Sequence, residues 1–221
     1  MMKNRHTNTY TFRSWVLALV IGVALLVTGY FVYIEYITPT PLIPNQPTTK
    51  AADASGTQKT DEQKNQYNVP PTHPRELIIK KLGINANIVP VSTLKDGSID
   101  APKTAWDAGW YEQSALPGTG GNGSLFIDGH VNDALGTPGI FYRLDSLAAG
   151  DIITIERGDH AMISYAVQTI DRRPIANVDM NQALRSFVPG KEGLNLMTCG
   201  GVYDTARKTY DDRITIYAVA T

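Results

Sequence analysis

The sequence predicts a mainly β domain, closed or sandwiched, carried behind one apolar N-terminal helix. Three observations predict it. Beyond residue 75 the apolar residues fall in about seven or eight short runs separated by Gly, Pro and Asp-Gly, the pattern of strands joined by turns. Helical periodicity is scarce over the same region. Residues 15–34, WVLALVIGVALLVTGYFVYI, form an uncharged apolar run, long enough to cross a bilayer as a helix.

Lys3, Arg5 and Arg13 precede that run and Glu35 follows it. The positive-inside bias then places residues 1–14 in the cytoplasm, 15–36 in the membrane and the rest outside, with Trp15, Tyr30, Tyr33 and Tyr36 at the two interfaces. A cleaved signal peptide is the competing reading. The run is longer than a usual signal core, and no small-x-small site follows closely. Residues 37–74 are rich in Pro, Thr, Gln and Lys and poor in large apolar residues. They read as a flexible linker, with a span of roughly 30–35 Å. Residues 75–221 remain for the folded domain, enough for one core.

The chain has 221 residues and a formal charge of −1, so nothing electrostatic points to nucleic acid. It has a single cysteine, Cys199. No disulfide can form within it, and an odd thiol outside the cytosol is a candidate nucleophile.

Strands are expected at 76–80, 87–91, 108–111, 124–131, 151–156, 163–170, 194–199 and 213–219, with a minor one at 98–100. The runs 151–156 and 163–170 suit an antiparallel pair. A turn of helix is expected near 140–147, and a helix over 179–187 with Asp179 as its N-cap. The run ending at Cys199 is followed by Gly200-Gly201, which reads as a strand end breaking into a turn.

Side chains alternate across a strand. With Leu125 and Ile127 facing the core, His130 falls on the other face, with Asp128 and Phe126. With Leu194 and Leu196 inward, Cys199 falls outward, with Asn195 and Met197. With Ile214, Ile216 and Ala218 inward, Arg213 falls outward. A thiol, an imidazole and a guanidinium are therefore free to meet in one groove. Thiolate attack on a carbonyl, with the imidazole as acid and base and the arginine on the oxyanion, is chemistry this set supports. Singly, each residue has a plainer reading: a buried small cysteine, a surface histidine, a solvated arginine.

At these residues the chain resembles the sortases, membrane-anchored cysteine transpeptidases of Gram-positive and related envelopes. The family signature TLxTC reads NLMTC here, ending at Cys199. The upstream histidine lies in Gly129-His130 and the downstream arginine in DDRITIY. The GHV and TCGG-aromatic-Asp patterns are most similar to class E and F sortases. The resemblance implies an eight-stranded β-barrel and cleavage of an LPxTG-like sorting signal between Thr and Gly through a thioacyl enzyme. The product is then released onto an amine of a peptidoglycan precursor or a pilin lysine. It implies Cys199 as nucleophile, His130 as acid/base and Arg213 on the oxyanion, with Thr198, Met197 and Gly200 beside the substrate. No cofactor is implied. Some sortases use calcium, but no site for it is identifiable in this sequence.

Asn195 replaces the first Thr of the signature, which bears on loop support rather than chemistry. Class F members place an arginine directly after the Asp that follows the glycine pair. Thr205 stands there, with Arg207 two residues on. Arg213 matches the position of the other classes and is preferred over Arg207. Asp128 is either an orienting partner for His130 or a solvated polar residue. Leu116-Pro117-Gly118-Thr119-Gly120 spells the substrate motif itself, yet a whole domain follows it in place of an apolar helix and basic tail, so it reads as a loop. GTGGNG lacks the strand-before, helix-after setting of a nucleotide fingerprint. The alternatives are a non-catalytic tethered domain that binds wall polymer or an envelope protein, and another thiol enzyme. The Ser-x-Gly-Cys arrangement of L,D-transpeptidases is absent. The chain stops just after its last strand, which favours wall anchoring over pilus assembly.

Overall fold

The computed structural model describes residues 59–60, 62–63 and 66–221. The expected membrane helix lies outside them. Among the described residues no helix is long and apolar enough to cross a membrane.

Eight strands close into a barrel. They are β1 (Pro74–Ile79), β2 (Ile84–Val91), β3 (Ala108–Tyr111), β4 (Ser124–Asp128), β5 (Ile152–Arg157), β6 (Met162–Pro174), β7 (Gly193–Asp204) and β8 (Thr209–Ala220). Their order is β1-β2-β3-β4-β7-β8-β6-β5, and β5 pairs back onto β1. The β2–β3 and β4–β7 pairs are parallel, while β5 and β6 form the expected antiparallel pair. Closure leaves no open sheet edge.

Alternation divides each strand between two apolar layers. Leu77, Ile127, Ile155, Leu194, Leu196 and Ile216 are fully buried in the barrel interior. The outer face of the β2-β3-β4-β7 wall carries a second cluster of Val91, Tyr111, Phe126, Met197 and Ala183. Ala183 belongs to a short helix, α1 (Met180–Ala183), capped by Asp179, whose side chain accepts from the Asn181 N–H. The helix expected over 179–187 is thus one turn. Gly123 forms an isolated bridge with Arg185, and Ser186 N donates to Asn122 O, which draws the chain out of helix. Asn195 occupies the space beneath: its Nδ2 donates to Ala183 O (2.6 Å) and Arg185 O (2.9 Å). The residue that departs from the Thr of TLxTC therefore holds the end of α1 onto the sheet.

Three other expectations change. The run expected as a strand over 124–131 stops at Asp128, and β7 does not end at Cys199 but runs on to Asp204. The register shifts between Gly200 and Tyr203. The glycine pair forms a bulge inside a long hairpin. Gly201 has φ +81°, and a Cβ there would sit 2.0 Å from Asp211 Oδ1. Residues 98–100 contribute only an isolated Thr93–Ile99 bridge.

The end of the expected linker packs on the barrel. Tyr67 donates its hydroxyl to Ile88 O (2.8 Å), and Lys59 pairs with buried Asp107 (2.8 Å). Arg75 Nε holds Tyr67 O (2.9 Å), while its guanidinium pairs with Glu76 and Glu156. Charges this buried are tolerated only when paired.

The Leu116–Gly120 loop sits at the start of β4. The buried carboxylate of Glu192 accepts from Gly118 N (2.7 Å), Gly120 N (2.6 Å) and the Tyr165 hydroxyl. Both glycines have positive φ. The substrate-like pentapeptide is thereby a folded turn locked to the barrel. Glu192→Gln keeps the shape but turns one acceptor oxygen into a donor facing an N–H. The expected cost is about 1–3 kcal/mol of stability in urea unfolding of the full chain.

Candidate active site

Strand β7 brings the site together. It lies between β4 on one side and β8 on the other. With Leu194 and Leu196 inward, Asn195, Met197 and Cys199 face out. In β8 the inward set is Ile214, Ile216 and Ala218, so Arg213 also faces out. The β7–β8 register places Arg213 directly opposite Cys199.

His130 arrives from β4 by a clasp. Asp128 is the last residue of β4 and pairs with Met197. One step further, Gly129 N donates to Met197 O (3.2 Å) and Thr198 Oγ1 donates to Gly129 O (2.8 Å). Both bonds are made by residues adjacent to the catalytic candidates, and Thr198 is buried. His130 thus emerges beside β7 at the level of Cys199, just past the strand rather than within it. Its Nε2 meets Pro102 O at 2.8 Å. A carbonyl only accepts, so in the neutral ring Nε2 carries the proton and Nδ1 is the basic nitrogen.

The guanidinium of Arg213 is held by its hairpin. Nη1 donates to Tyr210 O (3.1 Å) and Asp212 O (2.9 Å), and Nη2 to Thr209 Oγ1 (3.2 Å). Arg207 is placed differently. It pairs with Asp204 (2.6 Å) in the turn and is half exposed. The turn closes at Asp204–Thr209, about 16 Å along the strand from Cys199. The structure brings Arg213, not Arg207, to the thiol.

The electrostatics follow from burial. Burial pushes the Cys199 thiol above its ordinary value; Arg213 opposes this and Asp128 reinforces it. Burial holds His130 below its ordinary value, against the bond to Pro102. At neutral pH the resting pair is therefore a thiol and a neutral imidazole.

Asp128 has an unusual setting. Its Oδ1 is buried without a hydrogen-bond partner, so this oxygen does not hold His130. Burial, with a further contribution from Asp100, pushes its carboxyl up to about 8.

Several contacts had no signal in the sequence. Pro102 acts through a backbone carbonyl. Asn132 donates Nδ2 to the Tyr210 hydroxyl (2.7 Å), tying the His130 loop to the β7–β8 hairpin, and Tyr203 packs edge-on against Tyr210. A cavity of about 400 Å³ beside α1, lined by Asp179, Arg185, Phe187 and Tyr217 among others, does not reach Cys199. Among the described residues no group of three or more His, Cys, Asp or Glu side chains could hold a metal ion.

The barrel domain matches a known family. The profile described as the Sortase domain matches residues 77–221. The chain belongs to the sortases, which are cysteine transpeptidases. Comparison with curated proteins gives no match. Among solved structures it is similar to the pilus-related sortase C of group B Streptococcus, at 19% identity and TM-score 0.52, covering 79% of this chain and 77% of that one. It is similar to sortase C-1 of Actinomyces oris, at 18% and 0.51, covering 72% and 79%. It is also similar to a lid mutant of sortase A from Corynebacterium diphtheriae, at 22% and 0.51, covering 72% and 76%. At these identities the likeness is one of fold.

The setting of Asp128 predicts a pH-dependent stability. The folded chain keeps this proton up to about pH 8, whereas an unfolded aspartate releases it near pH 4. The stability it contributes is full below pH 4 and is lost as pH rises towards 8. Asp128→Asn should melt close to wild type near pH 4 and several degrees higher at pH 8, as read by thermal melts of the two full-length chains.

Proposed function

We propose that this sortase is tethered by the helix at residues 15–36, N-terminus in the cytoplasm, and works outside the membrane on secreted proteins with LPxTG-like C-terminal sorting signals. The single observation that carries the reading is the opposition of Cys199 and Arg213 across β7 and β8, with His130 clasped to the same strand. The GHV and TCGG patterns support a class E or F member.

Cys199 Sγ attacks the carbonyl carbon of the signal's Thr as its proton passes to the basic nitrogen of His130. The carbonyl oxygen gains charge and is met by the guanidinium of Arg213, which stays protonated throughout. The tetrahedral species collapses, the Thr–Gly bond breaks, and His130 gives the proton to the departing glycine amine. A thioester on Cys199 remains. An amine from a peptidoglycan precursor or a pilin lysine attacks it, losing a proton to His130. The new amide forms and the thiol returns. Met197 shares the face of Cys199 in this scheme, while Thr198, buried in the seam, acts through its bond to Gly129 O.

The resting neutral pair sets a condition on the reaction. Thiolate and imidazolium must form within the site, and Arg213 is the charge that favours the thiolate. Removing it acts on both ionisation and oxyanion.

The test is cleavage of a panel of quenched LPxTG-type pentapeptides by the full-length chain, with and without an added amine. Cys199→Ala should abolish cleavage. Arg213→Ala should lower kcat/KM by roughly 10²–10³-fold, while Arg207→Ala, a surface ion pair, should stay within about twofold. Equal losses for the two arginines, or full cleavage by Cys199→Ala, would overturn the assignment.

A further inference from the structure

The floor of the site holds a carboxyl that the reaction above does not use. Asp128 faces out of β4, and its cross-strand neighbour on β7 is Met197. Cys199 lies two residues along β7 from Met197, on the same face, so carboxyl and thiol share one patch of the barrel wall. On the other side Asp128 is paired with Gly109 of β3. A Cβ at Gly109 would lie 2.3 Å from Asp128 Oδ1 and 2.9 Å from the ring of Pro102. The missing side chain is therefore what admits the carboxyl, and the Pro102 ring presses on the same spot. Pro102 is also the residue whose carbonyl holds His130. Asp128 is wedged between the thiol's strand and the histidine's latch, with Oδ1 buried and without a hydrogen-bond partner.

Of the charged groups on the elements around it, Asp100 is the one that acts on its carboxyl. Strand β7 presents Cys199, and β8 presents Arg213 behind it. The β2–β3 connection presents Asp100, paired with Lys103 (3.1 Å), and Asp107, already held by Lys59. The exit of β4 presents His130. Strand β3 presents only Gly109. Arg213 directs its hydrogen bonds to the hairpin backbone and Thr209 rather than to Asp128.

We propose that Asp128 is a positioning residue acting through Cys199: a carboxyl seated in the site floor whose negative charge, once it forms, opposes the thiolate and moves ionisation of the nucleophile to higher pH. While the carboxyl is neutral, Arg213 acts on the thiol alone. Once it ionises, a like charge beside the sulfur cancels part of what the arginine supplies. The burial that keeps the proton on Asp128 up to about pH 8 places this change in the range where the thiol itself ionises. The proposal rests on Cys199 as the nucleophile, but not on the identity of the peptide it attacks.

Cys199 is the only cysteine, so alkylation by iodoacetamide reports on it alone. The experiment measures the alkylation rate of the full-length chain from pH 6 to 10 for wild type, Asp128→Asn and Asp128→Ala. Both variants should shift the ionisation midpoint of the thiol down by about one pH unit, and be alkylated several-fold faster than wild type near pH 9. Wild type should show a broadened curve, because two coupled groups titrate together. Superimposable profiles, a shift in Asp128→Ala alone, or a single-proton curve in wild type would overturn the proposal. A single-proton curve in wild type overturns the proposal even if neither variant folds. A chain that shows the shift but cuts no peptide contradicts the sorting-signal reading and leaves this one standing.

Discussion

The Thr198 hydroxyl and the Gly129 carbonyl meet in the buried seam between β4 and β7, 2.8 Å apart. Beside them Gly129 N reaches Met197 O. These two bonds extend a parallel strand pair by one residue beyond its regular end. They give His130 a fixed place relative to Cys199 although the two are far apart in sequence. A histidine leaving β4 without them would depend on its loop alone for position. The barrel serves this seam: closure around eight strands holds β4, β7 and β8 side by side, and the interior layer of Leu125, Ile127, Leu194 and Leu196 fixes which residues face out.

The same enclosure that positions the residues works against the chemistry. Burial disfavours the thiolate on Cys199 and the imidazolium on His130, both of which the reaction requires. Arg213 is the counterweight for the sulfur, and its guanidinium is held in place by carbonyls of its own hairpin. The glycine bulge matters here. By letting β7 and β8 continue past Cys199 and Arg213, it builds the hairpin whose Thr209, Tyr210 and Asp212 hold the arginine. A strand that ended at the cysteine would have left Arg213 without that support.

Much of this was legible in the sequence because alternation is a local property. Leu194 and Leu196 against Cys199, and Ile214 and Ile216 against Arg213, assign faces without knowledge of strand order, and the NLMTC and GH motifs point to a family. What was not legible depends on partners distant in the chain. Pro102 holds His130 through a backbone carbonyl, which no residue type announces. Gly200-Gly201 reads as a break, and only the Asp211 carboxylate facing Gly201 turns it into a bulge. The helix over 179–187 had its cap at Asp179 and a helical pattern, but the bridge of Arg185 to Gly123 overrides local propensity after one turn. The choice between Arg213 and Arg207 needed the hairpin register, which puts one opposite the thiol and the other in the turn.

The most direct measurement is the intact mass of the full-length chain quenched during reaction with an LPxTG-type peptide in the absence of an added amine. The account predicts a population heavier by the acyl fragment ending in Thr, with the added mass on the proteolytic peptide that contains Cys199 and released by hydroxylamine. Peptide cleavage with no enzyme-bound mass at any time of quenching, or an adduct on a residue other than Cys199, would contradict it.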